Sequence, residues 1–253
     1  MRHTLLIGLV FAVGCSPDYL VVDADGTDSA ELEQWDIASL EIVSPQSGDF
    51  LPWEESNDFK AVIVDEEGNE LEFDDIQWSS SIDDDWSITG RDLSDDALAV
   101  GTHAITATAE LPNGDRLSYT VGGVLVQSEY AGTYTGSLRV DLISDQISTA
   151  CSGAASLVVD VYGEVVDGNA NCFLSIQGFD IDSAFVVAGE NDDGDLGGEI
   201  LVDIGGFFEL PLELSGDLTA DGEMTGGFEG DVVGFAEVQG LLTATRITRD
   251  TGL

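Results

Sequence analysis

From Ser39 onward, apolar and polar residues alternate over short runs broken by turn residues, the period of half-buried strands. SLEIV (Ser39–Val43), FKAVIV (Phe59–Val64) and DIQWSSS (Asp75–Ser81) read as strands, with EEGN (Glu66–Asn69) as a turn between the second and third. Gly101–Val126 reads as two strands about Asn113-Gly114, a dipeptide that favours the positive backbone angles of a tight hairpin. After Tyr130 no helical period occurs, and glycine is frequent. SLRVDL puts Leu138, Val140 and Leu142 on one face, and Ala155, Leu157, Val159 and Val161 form the next such face. Cys172–Gly178, Gly198–Gly205, Phe208–Gly230 (with an Asp221-Gly222 turn) and Ala236–Ile247 continue the pattern. Turns recurring every roughly 8–12 residues predict an up-and-down antiparallel sheet over 129–253, curled into a barrel or half-barrel. Gly132–Gly136 and Gly226–Gly230 repeat a Gly-x-aromatic-x-Gly pattern, as an old hairpin repeat would leave. The expected fold class is all-β.

The first residues follow another rule. Thr4 to Val13 is an apolar run too short to cross a bilayer, with the length and flanks of an export signal. Ala12-Val13-Gly14-Cys15 resembles a bacterial lipobox, in which small residues precede a cysteine that is acylated and becomes the mature N-terminus. That resemblance implies a signal over 1–14, lipidation of Cys15 and, with Ser16 following it, sorting to the outer membrane. Residues 15–38 read as the lipidated end and an acidic tether. Asp23, Asp25 and Asp28 within it miss the EF-hand spacing, because glycine stands at the fourth position and that loop needs it at the sixth. In an exported chain the two remaining cysteines, Cys151 and Cys172, are expected to form a disulfide.

The segments EIVSPQSGDF, FKAVIVDEEGN, IQWSSS and LAVGTHAITATAELPNGD, in that order, resemble the immunoglobulin-like domains of bacterial surface proteins, near the PKD and cadherin-like types. The resemblance covers 39–128 and implies a β-sandwich, with Trp78 as a core residue against Ile105 and Ala107.

Composition then removes whole classes of function. Seven Lys and Arg stand against 50 Asp and Glu, a net charge of −43. Such a surface repels phosphate backbones and anionic headgroups, so nucleic acid is not an expected partner and the acyl anchor is the expected membrane attachment. His103 is the only histidine after the leader, and no GxSxG, P-loop, HExxH or CxxC motif occurs. Carboxylates are the remaining chemistry. Asp83, Asp85, Asp92 and Asp95 form one candidate calcium cluster, and Asp193, Asp195 and Glu199 form another in a hairpin turn. Trp53 and Trp86, each in an acid-rich stretch, are candidate contacts for carbohydrate or an envelope protein. The expected function is a non-catalytic envelope lipoprotein that binds, adheres or scaffolds. Its rivals are a calcium-stabilised adhesin, a carrier of a small apolar ligand inside the barrel, and a carboxylate-dependent glycoside hydrolase.

Overall fold

Every second position of these segments is apolar, so each strand offers one face to bury, and the chain buries those faces in two places. The computed structural model describes Trp35 and residues 38–145, 148–176, 178–206, 208–232 and 236–251, which form seventeen strands and no helix. Cys15 and the tether acids lie outside the described residues.

The first nine strands are β1 (Ser39–Ser44), β2 (Phe50–Pro52), β3 (Asn57–Val64), β4 (Glu70–Leu71), β5 (Ile76–Ser80), β6 (Ser87–Thr89), β7 (Asp92–Asp95), β8 (Gly101–Glu110) and β9 (Arg116–Gln127). They make two sheets, β1-β3-β4 with β7 also on β3, and β2-β9-β8-β5-β6. The two sheets share one core. Trp78 and Phe59 are fully buried in it, 5.6 Å apart and edge to face. Burying a side chain such as Phe59 contributes about 1.5–3 kcal/mol. The Trp78 indole N–H donates to Gly90 O at 2.8 Å, so the ring enters the core with no unmet donor. Its Cα partner across β5–β8 is Ala107, and Ile105 pairs with Ser80. The Asn113-Gly114 turn forms between β8 and β9, with Gly114 at φ 90.

The remaining strands are β10 (Gly132–Ile143), β11 (Ser148–Val159), β12 (Val165–Ile176), β13 (Phe179–Asp192), β14 (Asp195–Ile204), β15 (Phe208–Leu218), β16 (Glu223–Val232) and β17 (Ala236–Thr248). Each pairs with the next, and β10 pairs with β17, so the sheet closes into an eight-stranded barrel. Closure removes the open edges that a half-barrel would leave.

Apolar side chains face inward. Leu138, Val140, Leu157, Val187, Ile200, Leu214, Val238 and Leu242 belong to a core in which no residue exceeds 7% exposure. A ligand-sized hollow would expose its lining, so the barrel is filled by its own side chains. The repeated glycine–aromatic pattern has a packing cause. Tyr134 and Phe228 point inward at 0% and 4% exposure, on strands whose flanking inward positions are glycines. Across β16–β17 the Phe228 ring lies over Gly240, where an added Cβ would stand 1.9 Å from the ring. Only glycine leaves room for it.

Cys151 and Cys172 form a disulfide across β11 and β12, with Cα atoms 5.8 Å apart. The ladder between those strands runs from Ala155↔Ala170 to Val159↔Val166, and the disulfide lies beyond its end. Close by, Thr149 Oγ1 donates to Ser175 O at 3.0 Å. The covalent bond holds the wall where backbone pairing gives way.

Candidate functional site: an acidic cleft at the junction

The segment between the two units is a turn bonded to both. Ser128 N donates to Val161 O at 2.9 Å, and Ala131 N to Ser128 O at 3.1 Å. Two of the chain's seven cationic residues sit here. Arg246 donates to Glu129 O and, at 2.7 Å, to Ala220 O. Arg249 donates to Glu129 O at 3.2 Å, and its guanidinium lies 3.6 Å from the centre of the Phe50 ring. Its own carbonyl accepts from Gln127 Nε2 at 2.8 Å. Cation–π and charge-assisted contacts of this kind are stronger when shielded from water. Burial and the neighbouring Arg246 charge lower the Arg249 pKa from its ordinary value.

Beside this junction lies an open cleft of about 790 Å³. The turn after β2 supplies Trp53, Glu54 and Glu55, and the linker supplies Ser128, Glu129 and Tyr130. The β11–β12 turn adds Tyr162, Gly163, Glu164 and Val165, and the β13–β14 hairpin adds Glu190, Asn191, Asp192 and Asp193. Seven carboxylates therefore line it, with no Lys, Arg or His among the lining residues. Trp53 and Tyr162 meet edge to face at 5.3 Å, one from each unit.

The cleft's turns carry an unusual backbone. Glu54 (φ 61) and Asp193 (φ 50) are the positive-φ non-glycine residues among the described residues, and both line this cleft. Asp193-Gly194 is a two-residue hairpin turn between the paired Asp192 and Asp195, a geometry that asks for positive φ at both positions. Asn191 secures it, accepting from Gly194 N at 3.1 Å and donating to Gly163 O at 2.7 Å. The Tyr130 hydroxyl donates to Asp193 Oδ1 at 3.3 Å. Burial, then the Asp193 and Glu129 charges, raise the Tyr130 phenol above its ordinary 10.0.

The sequence-predicted residues distribute as follows. Trp53 lies half-buried at the cleft, whereas Trp86 is a core residue and not a surface contact. It is 5% exposed, 5.2 Å from Phe59, and its indole N–H donates to Asp95 Oδ1 at 2.9 Å. The acids near Trp86 cap its buried ring and its turn. Asp95 also accepts from Ala97 N, Asp83 accepts from Ala99 N at 3.1 Å, and Asp92 pairs with Lys60 at 3.2 Å. Asp83, Asp92 and Asp95 are thus committed separately, and Asp85 is exposed in the turn before Trp86. Asp193 and Asp195 belong to the hairpin, while Glu199 lies outward on β14, opposite Glu213. Among the described residues, no three His, Cys, Asp or Glu side chains gather in a metal-holding arrangement, so neither expected calcium cluster is preassembled. His103 is 1% exposed, bonded through Nδ1 to Ser80 Oγ and through Nε2 to Ala99 O, both at 2.7 Å, as a structural residue would be.

Comparison of the chain with family models, curated proteins and solved structures finds no match.

Proposed function

We propose that this chain is a non-catalytic lipoprotein of the bacterial envelope, acylated at Cys15, which binds a positively charged segment of another envelope protein in the cleft between sandwich and barrel. The observation that carries the reading is the lining itself: seven carboxylates and three aromatic rings, with no Lys, Arg or His among the lining residues. A Lys or Arg side chain gains both from the carboxylates and from a ring face, and an open cleft admits an extended segment. The left-handed Glu54 supports it, because a strained backbone that aims a side chain is retained where the side chain has work to do. Glycoside hydrolysis would use the same cleft, but its acid must be shielded from water to stay protonated. Six of these carboxyl-bearing residues are exposed and Glu129 is half-buried, which favours binding over proton transfer. The filled barrel interior weighs against an apolar carrier.

The barrel would stand clear of the lipid. The outward positions of β14, β15 and β16 bear rows of acids and the barrel's inward positions are apolar, the reverse of a membrane-spanning barrel. Among the described residues, no helix is long and apolar enough to cross a membrane.

The test is titration of the full chain with a tetra-arginine peptide, followed by Trp fluorescence. Glu54→Gln and Glu190→Gln should weaken binding several-fold, whereas Glu213→Gln on the barrel wall should not. Equal losses from all three would reduce the interaction to bulk charge and remove the cleft as a site. Glu54→Gly separates strain from function. It should raise stability by about 1 kcal/mol, because glycine tolerates the left-handed backbone, while weakening the peptide.

A further inference from the structure

Four of the seven cleft carboxylates, those of Glu164, Glu190, Asp192 and Asp193, stand on or beside two turns at one end of the barrel. Tyr162 stands on the first of these turns. One buried side chain ties the two together. Asn191, 8% exposed, donates from Nδ2 to Gly163 O at 2.7 Å and accepts at Oδ1 from Gly194 N at 3.1 Å. Its backbone N–H donates to Glu164 O at 2.8 Å. A carbonyl only accepts and a backbone N–H only donates, so the bridge needs a donor and an acceptor on one group, as an amide has. Each turn is also held from elsewhere. Gly163 approaches the linker so closely that an added Cβ would stand 2.1 Å from Ser128 Oγ, and Gly194 O accepts from Leu218 N on β15 at 2.7 Å.

We infer that Asn191 is a positioning residue, and that the groups it holds in place make the cleft select arginine over lysine. This rests on the reading of the cleft as a site for a cationic segment. Acids free to drift would attract any polycation in proportion to its charge. Acids on turns locked to each other present their oxygens at set places. A planar guanidinium fork can meet such oxygens with two parallel hydrogen bonds, whereas an ammonium meets them as a point charge. The rings add to the preference, because a guanidinium also stacks on an aromatic face. Tyr162 is 49% exposed, and at the same junction the chain lays its own Arg249 over Phe50. Asn191 acts only through the acids and the ring that it places.

The test is titration of the full chain, carrying Cys15→Ser to prevent acylation, with tetra-arginine and tetra-lysine peptides. Both have blocked ends, so their charges are equal. The parent chain should bind tetra-arginine several-fold tighter than tetra-lysine. Asn191→Asp adds a carboxylate, so charge alone would tighten both peptides. It also sets an acceptor against Gly163 O, and should instead weaken tetra-arginine about tenfold and bring the two affinities together. Asn191→Ala, which adds no charge, should bring them together as well, and stands in if the aspartate variant does not fold. Near-ultraviolet circular dichroism checks that each variant is folded. A residue that only stabilised the barrel would lower the melting temperature and leave the arginine preference of the folded chain intact. Equal affinities in the parent chain, or a preference that survives in the folded variants, would overturn the inference and leave the cleft as a cation site. So would tighter binding of both peptides by Asn191→Asp. Binding of neither peptide by the parent chain would remove the cleft itself, and this inference with it.

Discussion

Across β14, β15 and β16 the outward residues are largely carboxylates set opposite one another, while across β10, β11 and β12 they are small and mostly uncharged. Glu199 faces Glu213, which faces Glu229, and Asp203↔Glu209 and Asp195↔Asp217 repeat the arrangement. Like charges directly opposite on a sheet cost on the order of 0.2–1 kcal/mol each. The neutral side carries its penalties elsewhere. There the β11–β12 ladder ends early and a disulfide takes over, and inside the wall Ser183 Oγ is buried with no protein partner. One side is regular in its backbone and strained on its surface, and the other is the converse. A closed barrel tolerates both because each strand is held on two sides, so a local penalty does not open an edge.

The disulfide offers the largest test of this contrast. Replacing Cys151 and Cys172 with Ala removes a link across 21 residues, and chemical denaturation should show a loss of about 3 kcal/mol. Hydrogen exchange should rise first in β11 and β12. Protection lost equally around the whole barrel would mean that the neutral side has no weakness of its own. Ser183→Ala comes next. It deletes an unmet hydroxyl beside Cys172 and should raise stability by about 1–2 kcal/mol, measured by the same denaturation. Glu213→Gln relieves two like-charge pairs together and should raise stability by about 0.5–1 kcal/mol at low salt, the gain fading as NaCl is added. A gain that persists in high salt would place its origin in something other than repulsion.

The smallest expected effect reads the acid density at the cleft. Because the folded state raises the Tyr130 pKa, the stability linked to its neutral form is present below the ordinary tyrosine value and is lost as pH climbs through the folded value. Phenolate absorbance should show one tyrosine ionising late, and Asp193→Asn should bring it part of the way back. Burial, the larger cause, would remain.

Alternation made much of this architecture legible in the chain. The inward faces Leu138-Val140-Leu142 and Ala155-Leu157-Val159 were read directly, since a period of two encodes a face and nothing further. Trp78 as a core residue rests on the resemblance of 39–128 to immunoglobulin-like domains, and the Cys151–Cys172 pairing on the count of cysteines left after Cys15. What stayed hidden depends on contacts distant in the chain. Trp53 meets Tyr162 more than a hundred positions away, and Arg249 reaches Phe50 from the far end. The carboxylate rows depend on strand register, which alternation does not determine. Trp86 was misread for a physical reason: acids beside an aromatic ring suggest a wet surface, yet one of them accepts the indole N–H of a buried ring.

Pairing of β10 with β17 joins segments about a hundred residues apart, so the cylinder stays open until its final strand arrives. Until then β10 shows an unclaimed edge, the kind of template on which unfinished chains clump together. Fifty negative charges are an encumbrance once the strand has docked, but beforehand they hold unfinished molecules away from each other. The repulsion that taxes the finished barrel therefore works as a chaperone during its assembly.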